Sequence, residues 1–276
     1  MKREAVEEKV AAIERLRLAP AGAIEPLRKA LRDRNNFVCS KAAAVAGDLL
    51  LGELIPDLLS AFERFMKDAA KTDPNCWAKN AIVKALKDLG HEDPAVYLRG
   101  IAHVQMEPVW GGRADSAATL RGACALALVA CSLPRDRILM QLADLLADPE
   151  VRVRSDAARA IAQLPGQDSI LMLRVKALAG DKEPAVIGQC FLSLLGIDPR
   201  ESIAFVARFL TGANEDLRFE AAAALGECPD PEAVEILIAR WRVERDAEMK
   251  RAIILSLGVS RVPEARAFLD SQRDAG

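Results

Sequence analysis

Three arginines, Arg174, Arg208 and Arg240, follow one another at spacings of 34 and 32 residues. A planar guanidinium grips carboxylates and phosphates in a two-pronged fashion, so a regular row of them could hold an acidic peptide or a phosphorylated one. Phe205 lies between the first two and would add an apolar contact, and Arg137 lies on the same outward stripe of the preceding row, one place further up the helix. The same row reads equally as a solvated face with scattered bases, interrupted by Asp144 and Glu201. A second candidate is Trp110, followed by two glycines in a stretch that breaks the pattern of its surroundings. A large aromatic on such a loop is either an anchor or lid for a partner, or a plug that folds back with Met106 over an irregular joint.

Chemistry of other kinds is hard to build. The histidines, His91 and His103, stand twelve residues apart, and none of the six cysteines forms a C-x-x-C or sits at zinc spacing from them. No metal or other cofactor is expected. Nucleophile-elbow, phosphate-loop and dinucleotide glycine motifs are missing, and Gly111-Gly112 follows no strand pattern. The acid pairs Asp68/Asp73 and Glu150/Asp156 fall at helix boundaries, where capping explains them. No catalytic residue is assigned, and a binding role suits the chain better than an enzymatic one.

The elements that must position these residues recur. From Asp33, Asp73, Asp115, Asp148 and Asp181, then the degenerate starts Gly212 and Glu244, rows follow at steps of 40, 42, 33, 33, 31 and 32. The fifth residue on is apolar: Val38, Ala78, Leu120, Val153, Val186, Leu217, Met249. The sixth is usually basic, with Cys39 and Ile187 the exceptions. The twelfth is small, from Val45 to Ser256, and the thirteenth aliphatic or Ala. Positions five, nine, twelve and thirteen share one face of a 3.6-residue helix. The acid, often followed by Pro, suits a helix start. A short turn and a second helix lead to the next acid. No segment alternates with period two, so strands are not expected.

A period in the thirties marks a solenoid. The Asp, the apolar-basic pair and the Ala-Ala-x-Ala-Leu run, clearest from Leu217 to Gly226, resemble the HEAT repeat, in the short form also found in phycobilisome-lyase-type proteins. The resemblance covers about residues 23–270. It implies an all-α, right-handed superhelix of about seven to eight helix pairs in one domain over 1–276. Insertions near 67–73 and 104–114 would be neighbours on one edge, the first of them lengthening a helix. It implies that Asp115, Arg121, Asp148 and Arg154 belong to a buried ladder between units. It also implies that the second helices, and with them the arginine column, line a concave face. The expected function is a scaffold for a protein or peptide. A bilin-lyase-like enzyme or chaperone subunit is the alternative the resemblance suggests. A helical-repeat DNA glycosylase is a third, echoed by Trp110, Asp115 and Arg154.

Composition agrees with a helical stack: 51% hydrophobic residues but only 4% aromatic. Thirty-eight bases against 40 acids give no bulk attraction to nucleic acid or anionic membrane. The N-terminus from Met1 to Lys9 is charged rather than a secretory apolar run, and no window reaches the roughly 18 apolar residues of a membrane span. With unpatterned cysteines this points to the cytoplasm. The oligomeric state is not legible.

Overall fold

The computed structural model describes residues 2–18 and 20–274; Met1, Ala19, Ala275 and Gly276, at the ends and in the first turn of the expected domain, lie outside the described residues. The chain divides into two compact units, residues 1–138 and 139–276. The first contains α1 (Lys2–Arg15), α2 (Ile24–Leu31), α3 (Asn36–Asp48), α4 (Ile55–Phe65), α5 (Ala69–Thr72), α6 (Trp77–Asp88), α7 (Pro94–Ile101), β1 (Met106–Val109), β2 (Gly112–Asp115) and α8 (Ala118–Leu128). The units divide within α9 (Arg135–Leu145). The second continues with α10 (Val151–Ala162), α11 (Gln167–Ala179), α12 (Pro184–Ile197), α13 (Pro199–Ala207), α14 (Glu215–Glu227), α15 (Pro231–Val243), α16 (Ala247–Val259) and α17 (Pro263–Asp274). The fold is an all-α solenoid with one inserted hairpin.

In each unit the first helices of the pairs stack in chain order: α1, α3, α6 and α8 in one, α10, α12, α14 and α16 in the other. The reason is in the columns. Every residue at position thirteen, from Ala46 to Leu257, is buried, and so is every one at position twelve. Small side chains there let backbones approach. A Cβ on Gly226 would stand 2.4 Å from the Ser256 carbonyl oxygen, so α14 and α16 meet backbone to backbone at a position only glycine fills. Ser193 fits the same kind of gap by donating its hydroxyl to the Ala158 carbonyl at 3.0 Å.

Asp73 meets the helix start as expected, accepting from the Ala78 and Lys79 N–H groups at 2.9 and 3.0 Å, but other row acids act differently. Asp33 accepts from the N–H of Asn35 at 2.9 Å, Asp148 from Glu150 at 2.8 Å and Asp181 from Glu183 at 3.0 Å. Each closes a side-chain turn two residues on, where the cap residue of the next helix stands. Capping itself falls to Asn35, Asn214 and Asp246, whose side chains accept from the N–H groups of Val38, Leu217 and Met249.

Both insertions depart from expectation. The segment 67–73 does not lengthen α4, which ends at Phe65. Asp68 turns left-handed with φ 48° and the chain restarts as the short α5. The segment 104–114 forms strands where none is expected: β1 and β2 pair antiparallel, Met106 opposite Asp115 and Val109 opposite Gly112. Four-residue strands are too short to show alternation. Gly111, with φ 87°, takes the turn position that demands a positive angle.

Candidate functional site

The ladder residues are held in ion pairs. The Arg154 guanidinium donates to both carboxylate oxygens of Asp181, at 2.8 and 2.7 Å, and to the backbone carbonyls of Asp148 and Pro149 at 2.8 and 3.0 Å. It therefore reaches the acid of the next row while tying down the turn of its own. Lys79 pairs with Asp73 at 3.0 Å, both fully buried, and donates to the Phe65 carbonyl. Arg121 pairs with Asp115 at 2.6 Å and donates to the His103 carbonyl. Where the sixth position holds no base, a neighbouring second helix supplies one, the following helix for Cys39 and the preceding one for Ile187. Arg64 donates to the Leu31 and Asp33 carbonyls beside Cys39, and Lys176 pairs with Asp181 at 2.7 Å in the row of Ile187.

These contacts set the charge states. Burial pushes the Asp115 carboxyl up, but hydrogen bonds from the Gln105 and Ala117 N–H groups and from Arg121 outweigh it and hold the pKa below the usual range. Burial likewise opposes ionisation of Asp181, and Arg154, Lys176 and the Glu183 N–H overcome it, leaving the group well below an ordinary carboxylate. Asp115 and Arg154 are both committed to partners within the seams. The cysteines are buried free thiols, and burial holds Cys39 up at about 12. His103 is shifted down by burial while its Nε2 meets Gln105 Oε1 at 3.1 Å. Among the described residues no three His, Cys, Asp or Glu side chains gather as a metal would require.

The arginine column is only partly a surface. Arg137 and Arg208 are exposed and Arg174 and Arg240 half-buried, but Phe205 is only 6% exposed. Ile170, Ala177, Ala233 and Leu237, counted into the same outward stripe, are buried as well. Turn lengths differ from row to row, so counting back from the next acid loses the helical phase. The structure brings Arg174, Phe205 and Arg208 together: the two guanidinium carbons lie 4.9 and 5.8 Å from the phenyl centroid. Arg174 also donates to the Glu201 carbonyl, and its buried Nε has no protein partner. Phe205 is therefore a cushion under two bases rather than a free apolar contact. Arg240 is engaged by Glu244, one turn on.

The residues that the column missed lie beside it. Leu171, Val175 and Leu178 on α11 are 63, 57 and 61% exposed. They sit at i, i+4 and i+7, so with Arg174 they make one continuous patch. Leu171 and Val175 line an almost wholly apolar cleft of about 420 Å³ against Ala143 and Leu146 of the preceding second helix. The signal was present in the run from Ile170 to Leu178, which has more apolar residues than one buried face needs.

Trp110 is fully exposed, 102% of its reference area, and Met106 is exposed too. They do not fold back over a joint. Glu107 anchors the hairpin instead, accepting from the Asn75 N–H at 2.8 Å and from Ser116 and Gln105 side chains at 2.5 Å each. Gln105 also donates to the Asp73 carbonyl at 2.9 Å, so the two insertions are in contact.

Stacked helix pairs closed by Ala, Leu and polar seams define an α-helical repeat protein. More particularly, residues 171–258 match the family model for HEAT repeats, so this part of the chain carries repeats of that kind. Among solved structures, it is similar to human deoxyhypusine hydroxylase in complex with glycerol, at 17% identity over 94% of this chain and 98% of that one, with a TM-score of 0.36. An engineered protein is similar at 16% identity over 93% and 74%, with a TM-score of 0.39. No curated protein matches the chain. Among the described residues no helix is long and apolar enough to cross a membrane.

Proposed function

We propose that this protein is a scaffold that holds a protein or peptide partner on the second-helix face of residues 139–276. One observation carries the reading: the aliphatic patch of Leu171, Val175 and Leu178, with Arg174 inside it. Three exposed aliphatic side chains on one helix stripe leave several hundred square ångströms of apolar surface in water, a pattern typical of interaction sites. Burial on a partner would recover about 25 cal/mol per Å² of that area. Arg174 and the neighbouring Arg208 add charge at its edge, where acidic groups of the partner would pair with them. Exposed Arg137 and the engaged Arg240 are less central to this surface than the column suggested. The buried, unpaired thiols support a cytoplasmic setting.

The experiment compares proteins retained from the native source by the wild-type chain and by Leu171→Gln/Val175→Gln. The same partner should be lost from the variant while its melting curve is unchanged. Retention of an identical set by both proteins contradicts the assignment.

A further inference from the structure

The fourth position of each row points away from the core, and in five rows it is small or polar: Thr119, Arg152, Ala185, Asp216 and Glu248. In the first two rows it is Phe37 and Trp77. No packing rule of the repeat asks for aromatics there, and they are not buried: Trp77 is 50% exposed. Their rings meet at 5.6 Å, tilted by 58°, across the α3–α6 seam. Beside them runs an open trough of about 670 Å³ along α3, α6 and α8, within the size range of ligand clefts. Small residues, Ala44, Ala81 and Ala123, line it.

The charge of this trough differs from that of the chain. The protein as a whole carries a formal −2, whereas the lining holds Lys41, Lys84 and Lys87 against the single carboxylate of Asp88. Lys84 already neutralises Asp88 at 2.7 Å. Lys41 lies 5.5 Å from the Phe37 centroid and 3.6 Å from the Glu14 carboxylate, whereas Lys87 has no ion-pair partner among the described residues. An aromatic wall, a small-residue floor and lysines fit an occupant with negative charge and an apolar anchor.

We propose that this trough docks an acidic peptide segment whose aromatic or large aliphatic side chain packs against Phe37 and Trp77. Its carboxylates face Lys87, and Lys41, shared with Glu14, adds a second positive charge. The site is separate from the α11 patch and does not rest on it.

The test selects peptides from a random display library on the wild-type chain, with counter-selection on Trp77→Ala/Lys87→Glu. Enriched peptides should be acidic and carry Trp, Phe or Leu. A synthetic copy should shift the indole N–H resonance of Trp77 and leave those of Trp110 and Trp241 in place. Lys87→Glu alone, which removes no packed side chain, should weaken it by about tenfold or more, as loss of one interface hot spot does. No enrichment, enrichment of neutral or basic peptides, equal binding to Lys87→Glu, or a shift at Trp110 instead would each overturn the proposal. So would oligo(dT) moving the Trp77 resonance more strongly than any peptide, which would make this a single-stranded nucleic-acid site. A Trp77 shift that tracks dimer mass without peptide would assign the trough to a second copy of the chain. Leu171→Gln/Val175→Gln should bind the selected peptide normally, so this site and the α11 patch fail independently.

Discussion

Asp181→Ala should be among the most destabilising single replacements at a seam. Its carboxylate, 4% exposed, neutralises Arg154 at 2.7 Å and Lys176 at 2.7 Å. Removing it strands two bases that are themselves only 10 and 16% exposed. Breaking a buried pair from one side costs about 3–5 kcal/mol. At roughly 2–4 °C per kcal/mol for a domain of this size, melting should fall by roughly 6–20 °C. Arg154→Met should cost less, because Lys176 and the Glu183 N–H still hold Asp181. The open cleft that Arg154 lines also lets water reach the Asp148 and Pro149 carbonyls. Arg154→Met/Lys176→Met/Asp181→Leu should recover most of the loss, since replacing both bases along with the acid leaves no stranded charge between them. The folded-state pKa of Asp181 is depressed, so its contribution is complete above its unfolded value of about 3.9 and fades as pH falls toward the folded one. The gap between wild type and Asp181→Asn should therefore be flat from neutral pH down to about 5, and close below about 4. Calorimetric melts across that range are the assay. A shift under about 2 °C for Asp181→Ala, or a larger loss for Arg154→Met, would refute the claim that the acid is the hub.

Gly226→Ala should cost about 1–3 kcal/mol because its methyl meets the Ser256 backbone, whereas Gly188→Ala meets only the movable Glu220 side chain and should cost less; paired melts decide. Glu107→Ala should speed amide exchange across 106–115 with little change in global melting, and unchanged exchange would mean that strand pairing alone holds the hairpin. Arg208→Ala should change stability by under about 1 kcal/mol, as an exposed cation over an aromatic ring contributes little. All six thiols should resist a disulfide reagent in the native state and react together on unfolding, and fast labelling of Cys39 would contradict its burial.

The first helices are legible because their signal is redundant. Four columns repeat over seven rows, and each has a packing reason to stay the same. The second helices are less so, since turns of unequal length shift their phase. That is how buried Phe205 and Leu237 enter a column meant for solvent, while exposed Leu171 and Val175 escape it. The replacement of missing bases by Arg64 and Lys176 is invisible to column counting, because the substitute comes from another helix. The hairpin is hidden for a different reason. Its strands are mostly exposed, so burial imposes no alternation, and Glu107 secures it through contacts that lie 32 and 9 residues away in the chain.

The polar contacts between successive first helices have one further consequence. Lys9 meets Asp33 at 2.6 Å, Asn36 meets Asp73 at 2.9 Å, Arg154 grips Asp181 with two nitrogens, and Arg218 stands 3.8 Å from Asp246. Reach, charge and number of prongs differ at each joint, although the apolar columns beside them are nearly uniform. Those columns alone would let one helix pair stand in for another. The polar joints do not: a pair moved from the start of the array to precede Asp181 would bring Lys9 or Asn36 in place of Arg154 to a carboxylate shielded from water. The repeats are thus mates cut to fit particular neighbours, and a chain with its pairs shuffled would keep its composition and its grease but lose its order.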